Sequence, residues 1–455
     1  MKNIKALLLK SGIALSVAGA VATPAHAANW LMLQGTEPDS AAPRIYMWGF
    51  VQAQYQKDYS DPNATGGYIP PKLVGPNLTS QSQFNVNRAR LGARGTGFPL
   101  DSKVNYFIMA EFGNNAATST HSVSGSPRLM DASITLNEIP GARIRVGLFK
   151  TPGFEEGLQG IPALDYINFT TVGNQLMLER FPNSAFTANV GTVTLPVNTS
   201  NGGLNQFDQP VGAFRDVGVQ VFDSFRVGNW DHSYAIMIGN GNGISPSDVD
   251  NNKDTYLYWS SELVFGGEGP FRDGLKLFAW SQNGKRLLDQ TNDSVHNPTE
   301  FDRKRSGVGV KYLKKPWRFT AEYLKGDGMI WVGPDKATFD QNANPAANPT
   351  LNPANANGAT GKADGWYVEG GWYLGQKWEL DLRYDQYTRL KDDQFESVWK
   401  TWTVGTQYHF NKKSRLTINY STRDVSSPNF GPTAGPNAEM SGIGNILAAQ
   451  VTHIF

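Results

Sequence analysis

From Arg44 to the last residue, polar and apolar side chains alternate with a period of two, the mark of strands with one apolar and one polar face. In Trp378–Asp385 the apolar set is Trp378, Leu380, Leu382 and Tyr384, and between them stand Glu379, Asp381, Arg383 and Asp385. In Arg415–Ser421 the residues Leu416, Ile418 and Tyr420 oppose Arg415, Thr417 and Asn419. The sets Val104, Tyr106, Ile108, Ala110, Phe112 and Trp317, Phe319, Ala321, Tyr323 repeat the rule. A soluble sandwich or propeller would bury such Leu and Ile residues, whereas here they point outward all round. The pattern predicts an all-β chain closed into a transmembrane antiparallel β-barrel, with lipid outside and a polar lumen where each ionised group meets water.

About sixteen segments carry this alternation: near 43–57, 82–96, 101–114, 129–138, 142–150, 211–225, 230–240, 253–266, 274–283, 302–313, 316–325, 362–374, 376–389, 397–410, 414–423 and 445–455. A tilted strand needs roughly 9 to 11 residues to cross a bilayer, and the longer segments project beyond it. Short joins at Pro140-Gly141, Lys314-Lys315, Gly375-Gln376 and Asn411-Lys412-Lys413 alternate with long ones near 58–81, 115–128, 151–210, 284–301, 326–361 and 424–444. Bacterial outer-membrane barrels have short periplasmic turns and long external loops, so this parity puts both chain ends on the periplasmic side.

Composition sharpens the picture where the pattern is silent. Mean hydropathy is −0.40 despite 12 Trp, 17 Tyr and 24 Phe. After the first residues no stretch approaches the 18 consecutive apolar positions of a spanning helix. The first residues differ: Lys2, Lys5 and Lys10, an apolar run near Ile13–Val21, and Ala25-His26-Ala27 read as a cleaved signal peptide over 1–27. A short periplasmic segment, 28–42, then precedes a barrel over 43–455. Removing three lysines turns 41 basic against 40 acidic residues into 38 against 40, a mature charge near −2. That balance excludes nucleic acid as a partner. The absence of cysteine excludes thiol catalysis, attached haem and cysteine metal sites. The terminal Val451-Thr452-His453-Ile454-Phe455 ends on an aromatic at the apolar register, resembling the signal by which outer-membrane barrels are recognised by their assembly machinery.

A barrel of this strand number leaves a channel that wall side chains cannot fill, so its chemistry rests on lumen-facing residues and any loop folded inward. The third external connection, 151–210, is far longer than a structureless join needs to be. It is expected to fold into the pore as a constriction, with Glu155, Glu156, Asp165, Glu179 and Arg180 near the narrowest point. A loop arching over the mouth or making subunit contacts is the alternative. Register alone turns Arg88, Arg90, Arg94, Arg143, Arg145, Arg303, Arg305 and Lys311 toward the lumen, and Lys150 closes its strand at the start of the long loop. Guanidinium groups bind oxyanions through paired hydrogen bonds, and a ladder of them concentrates anions. The same register turns Glu111, Asp131, Glu262, Glu322, Glu369, Glu379, Asp381 and Asp385 inward, so opposed rows of both signs can also give a transverse field and weak selectivity.

The run Asn87-Arg88-Ala89-Arg90-Leu91-Gly92-Ala93-Arg94-Gly95, then Asp131-Ala132-Ser133-Ile134, Arg145-Val146-Gly147-Leu148-Phe149-Lys150-Thr151-Pro152, Leu178-Glu179-Arg180 and Arg215-Asp216-Val217-Gly218-Val219-Gln220 occur in an order that resembles the phosphate-selective porin O and P family. By motif the resemblance covers roughly 43–225, and by strand pattern the remainder. It implies a homotrimer of sixteen-stranded barrels with arginine and lysine rows that attract anions.

Passive diffusion of small hydrophilic solutes, with small anions and phosphate among them, is the function expected, with outer-membrane lipid as surroundings and no cofactor. Two other classes stay open: a barrel sheath around a membrane-spanning partner such as a redox protein, and an outer-membrane hydrolase. The hydrolase needs a serine or acidic group beside an oriented histidine, and His121, His232, His296, His409 and His453 are scattered singly. Asp248–Asp254 spaces oxygen ligands like a calcium loop but lacks its glycine and final glutamate. Residues 341–360, rich in Asn, Ala and Pro, read as a surface loop without transport chemistry.

Overall fold

A computed structural model of the protein describes residues 30–33, 45–60, 81–97, 101–115, 117–118, 127–178, 187–189, 192–194, 212–244, 248, 251–267, 269, 271–289, 298–330, 360–394, 396–432, 437 and 441–455. Sixteen antiparallel strands form one closed barrel. They are β1 (Tyr46–Asp58), β2 (Ser82–Gly97), β3 (Asp101–Glu111), β4 (Arg128–Leu136), β5 (Arg143–Lys150), β6 (Arg215–Val227), β7 (Trp230–Gly239) and β8 (Asp254–Gly266). There follow β9 (Asp273–Asp289), β10 (Pro298–Lys314), β11 (Trp317–Asp327), β12 (Lys362–Leu374), β13 (Trp378–Arg389), β14 (Ser397–Asn411), β15 (Ser414–Ser426) and β16 (Ile446–Ile454). A separate three-residue hairpin, Thr187–Asn189 with Thr192–Thr194, lies within the long connection after β5.

Each strand pairs with its neighbour in sequence, and β16 returns to β1 in a register running from Phe50 opposite Ile454 to Asp58 opposite Ile446. Closure leaves no open edge, which a sheet surrounded by hydrocarbon cannot tolerate. Phe455 extends the closing ladder: its N–H donates to the Gly49 carbonyl at 3.0 Å and its carbonyl accepts from the Gly49 N–H at 3.2 Å. A Cβ at position 49 would come within 2.6 Å of both the Phe455 ring and the Arg90 carbonyl, so only glycine admits the terminal aromatic there. The short end of the barrel is made by tight turns such as Gly228-Asn229 between β6 and β7, where Gly228 takes φ +61° as primed hairpin turns require.

The alternation read from sequence holds in space. Trp378, Leu380 and Leu382 are exposed on the outer face, while Glu379, Asp381, Arg383 and Asp385 are buried within the barrel. Two expectations need correction. Those four ionised groups are packed rather than bathed in water, because residues 151–178 fold against them. The connection placed at 284–301 is partly strand: the β9–β10 hairpin continues until Asp289 faces Pro298, since its ladder keeps pairing beyond the hydrocarbon layer.

The main apolar cluster also lies inside the barrel. Leu158, Ile161, Leu164, Phe169, Val172 and Leu176 pack there with Phe278, Trp280, Leu324, Tyr367, Tyr387 and Trp399 of the wall. Leu382, mid-strand on the outer face, offers a test of which surface meets lipid. Leu382→Arg should reduce the stability of the fold in lipid vesicles by about 2–4 kcal/mol, the penalty for a midplane charge, as measured by denaturant titration.

Candidate functional site

The long connection leaves β5 at Thr151 and turns back into the lumen. Its described part contains a helical turn, Glu155–Leu158, a 3-10 turn, Ile161–Ala163, and a π-turn, Gly173–Met177. Such irregular backbone has few partners of its own and must find them elsewhere. The barrel wall supplies them. Asn419 Oδ1 accepts from the Ile167 N–H at 2.9 Å and Asp385 Oδ1 from the Thr171 N–H at 2.8 Å. Glu322 accepts from the Glu155 N–H at 3.2 Å, from Trp280 Nε1 at 2.7 Å and from the Tyr367 hydroxyl at 2.8 Å. Cations serve the carbonyls: Lys150 Nζ donates to Leu158 and Gln159, Arg305 to Leu176, Arg383 to Asn168, and Arg415 to Leu164.

The loop carboxylates complete this clamp. Glu155 meets Lys276 at 2.7 Å and Lys311 at 3.5 Å. Glu156 accepts from the Thr170 hydroxyl at 2.6 Å and lies 3.3 Å from Arg383. Asp165 pairs with Arg318 at 2.9 Å, and Arg318 also meets Glu379 and Asp381. The two glutamates are shifted in opposite directions. Burial pushes the Glu155 carboxyl up, but Lys276 and Lys311 outweigh it and hold the group below its ordinary 4.5. Burial raises Glu156 to about 7, with Arg383 opposing only part of the rise.

Eight of the nine basic residues singled out in the sequence fall into two sets. Lys150, Arg305 and Lys311 hold the loop. Arg88, Arg90, Arg94, Arg143 and Arg145 lie on β2 and β5, beside Lys150, whereas most of the clamp lies on β9–β15. There Arg90 pairs with Glu111 at 2.7 Å and Arg143 pairs with Asp223. Arg88 donates to Gln52 at 2.9 Å, and Arg145 donates to Thr135 at 3.3 Å and Gln220 at 3.4 Å. Aromatic faces lie beside these guanidinium groups: Phe222 4.2 Å from Arg145, Phe50 5.7 Å from Arg90, and Phe169 of the loop 5.6 Å from Arg88. Arg94 is half-buried. Arg303 stands 4.0 Å from Asp254, whose other oxygen Arg286 engages at 2.8 Å.

Glu155, Glu156 and Asp165 are thus brought against the wall, while Glu179 and Arg180 lie outside the described residues. Lys276, Arg318, Arg383 and Arg415 were not singled out for the site, although their positions between outward-facing neighbours carried the same register signal. Between the loop root and Tyr256, Trp280, Arg286 and Arg303 lies a small cavity of about 30 Å³. Among the described residues no group of three or more His, Cys, Asp or Glu is placed to hold a metal ion.

The Glu156 carboxyl gives a pH prediction with a definite sign. A folded value near 7 above an ordinary 4.5 means that the folded chain holds this proton more tightly. Its contribution to stability is full below about pH 4.5 and is lost as pH rises through about 7. Thermal unfolding at several pH values should show Glu156→Gln with less loss of stability across that window than the parent.

Residues 280–429 match the family model described as phosphate-selective porin O and P. The match falls on β9–β15, downstream of the motifs that suggested the family. Among solved structures, outer-membrane-expressed OmpT of Vibrio cholerae aligns over 90% of this chain and 97% of its own, at 10% identity and TM-score 0.50. The anion-selective porin from Comamonas acidovorans aligns over 91% and 100%, at 12% identity and TM-score 0.48. The outer membrane channel DcaP of Acinetobacter baumannii aligns over 93% and 100%, at 15% identity and TM-score 0.49. At 10% identity the likeness to the Vibrio cholerae OmpT is one of fold alone. No curated protein matches the chain in sequence. The protein is therefore a sixteen-stranded barrel of the porin fold whose β9–β15 stretch carries the match to the phosphate-selective porin O and P family.

Proposed function

We propose that the protein is an outer-membrane channel for passive diffusion of small hydrophilic solutes, with anions preferred and phosphate among them. The observation that carries this reading is the segregation of charge around the inner wall. On β2–β6, Arg88, Arg90, Arg94, Arg143, Arg145 and Arg215 outnumber Glu111, Asp131, Asp216 and Asp223. On β11–β13, Glu322, Glu369, Glu379, Asp381 and Asp385 outnumber Arg318, Arg383 and Arg389, and this is where Glu156, Asp165 and Thr171 of the loop dock. The acidic arc is engaged in holding the loop, and the basic arc, its Arg88, Arg90, Arg145 and Arg215 themselves buried in the wall, supplies the positive field that a passing solute would meet. Aromatic rings beside Arg88, Arg90 and Arg145 add cation–π contacts that hold these guanidinium groups in place. The family match supports phosphate as a candidate solute.

The chain is proposed to be exported through residues 1–27, delivered to the assembly machinery, and assembled as a homotrimer. Support for self-association comes from the outer face. The exposed tryptophans Trp259, Trp317, Trp366, Trp372, Trp378 and Trp402 all lie on β8–β14, where a lipid-facing aromatic belt is expected. On β1–β6 the exposed set includes Met47, Val51, Leu91, Ile108, Ile134 and Val146, with no exposed tryptophan among the described residues. That arc suits contact with other copies better than contact with headgroups. A sheath around a large partner fits less well, because residues 151–178 already occupy the lumen. No step of diffusion calls for catalysis or a cofactor.

The test is the reversal potential in planar bilayers under a potassium chloride gradient, with phosphate then added. The parent should prefer anions, and phosphate should reduce its chloride current. Combined Arg88→Ala, Arg90→Ala and Arg145→Ala should move the reversal potential toward that of a non-selective pore. Unchanged ion preference in the triple variant would overturn the proposed role of this arc.

A further inference from the structure

Residues 30–33 lie ahead of β1 and belong to no strand, yet they are packed as tightly as the barrel interior. Trp30–Leu33 forms one helical turn with Leu31 and Met32 each only 2% exposed. Both side chains join the apolar cluster that contains Leu158, Ile161 and Leu164 of the inward-folded loop. The Trp30 ring meets Phe271 edge-on at 5.5 Å between centroids, and Phe271 belongs to the tight turn between β8 and β9 at the short-turn end of the barrel. From the other side, a Cβ at Gly160 would lie 2.9 Å from the Trp30 ring.

These contacts locate the turn relative to the loop. Asp165 pairs with Arg318, one residue into β11, and Arg415, one residue past the start of β15, donates to the Leu164 carbonyl. Both strands begin at the short-turn end, so the loop reaches its deepest point near residues 159–165 before rising toward Thr171 and Arg305. The Trp30–Leu33 turn lies against that deepest point.

We infer that the Trp30–Leu33 turn is an internal brace: it supports the constriction loop from the periplasmic side and narrows the exit of the pore. The inference rests on the diffusion reading for its effect on current, but the docking can be tested without any current. Burial of Leu31 and Met32 removes two large apolar side chains from water, a strong drive for so short a segment to stay docked. A brace seated by buried apolar side chains can be dislodged by charge, without touching the ion pairs that hold the loop.

The chain contains no cysteine, so Met32→Cys introduces a single thiol. In the folded, full-length protein this thiol should resist a membrane-impermeant maleimide and react fully after unfolding. Mass spectrometry of the purified protein identifies its amino terminus and separates altered export from altered docking. Leu31→Asp with Met32→Asp should raise single-channel conductance. Gly160→Leu, made on the loop side of the contact where φ −62° and ψ 128° suit any residue, should expose the thiol of Met32→Cys when the two substitutions are combined, and should raise conductance likewise. Labelling of that thiol in the folded protein as fast as in the unfolded one would overturn the docking. Protection of the thiol with conductance unchanged in both disrupting variants would overturn the narrowing. If no variant conducts, the diffusion reading itself fails, and thiol protection still decides whether the segment is docked.

Discussion

The structure depends on one constraint: a sheet immersed in hydrocarbon must satisfy every backbone N–H and C=O within itself, so it must close. The β1–β16 ladder meets that demand and Phe455 completes it against Gly49. Closure at sixteen strands has a cost in turn. The lumen is too wide for wall side chains to fill, and whatever enters it brings polar backbone that needs partners. The charged inner face follows from this need as much as from any solute.

Two uses of charge are consequently separated around one wall. Where residues 151–178 dock, lysines, arginines and carboxylates act as substitutes for a hydrogen-bonded ladder, receiving loop N–H groups on Asp385, Asn419 and Glu322 and loop carbonyls on Arg383, Arg305 and Lys150. Removing one member of such a buried pair costs about 3–5 kcal/mol, which ties each clamp residue to the stability of the whole loop. On β2 and β5 the arginines meet rings, amides and fewer carboxylates. Their field reaches across the lumen, and that is where selectivity is proposed to arise. Docking against the acidic arc therefore does more than narrow the pore, because it occupies the charges that would otherwise offset the basic arc.

Much of this was legible in the alternation. A period of two separates Leu380 and Leu382 from Glu379, Asp381 and Arg383 with no further information, and the parity of short and long joins orders the strands. The rule placed Arg383 and Arg415 inward, and Lys276 and Arg318 obey it too. What they would touch could not be read. Lys276 and Glu155 are 121 residues apart and Arg383 and Glu156 are 227 apart, and no local pattern links a loop carboxylate to a lysine on a strand across the lumen. The length of the 151–210 connection signalled an inward loop, but not that its apolar residues would form the main core with Trp280, Tyr367 and Trp399. The hairpin of β9 and β10 outran its expected ends because strand pairing continues wherever both partners do. The family likeness was suggested by motifs before residue 225, whereas the match lies at 280–429, in strands known beforehand only by their alternation.

The central claim is that residues 151–178 are held by the wall as firmly as a strand is held by its neighbours. Amide hydrogen exchange of the refolded protein tests this most directly. The account predicts that the amides of Glu155, Ile167, Thr170 and Thr171, bonded to Glu322, Asn419, Glu156 and Asp385, exchange as slowly as those in the middle of β13. Exchange at the rate of solvent-exposed backbone would contradict it, and would return the carboxylates of β11–β13 to the open lumen.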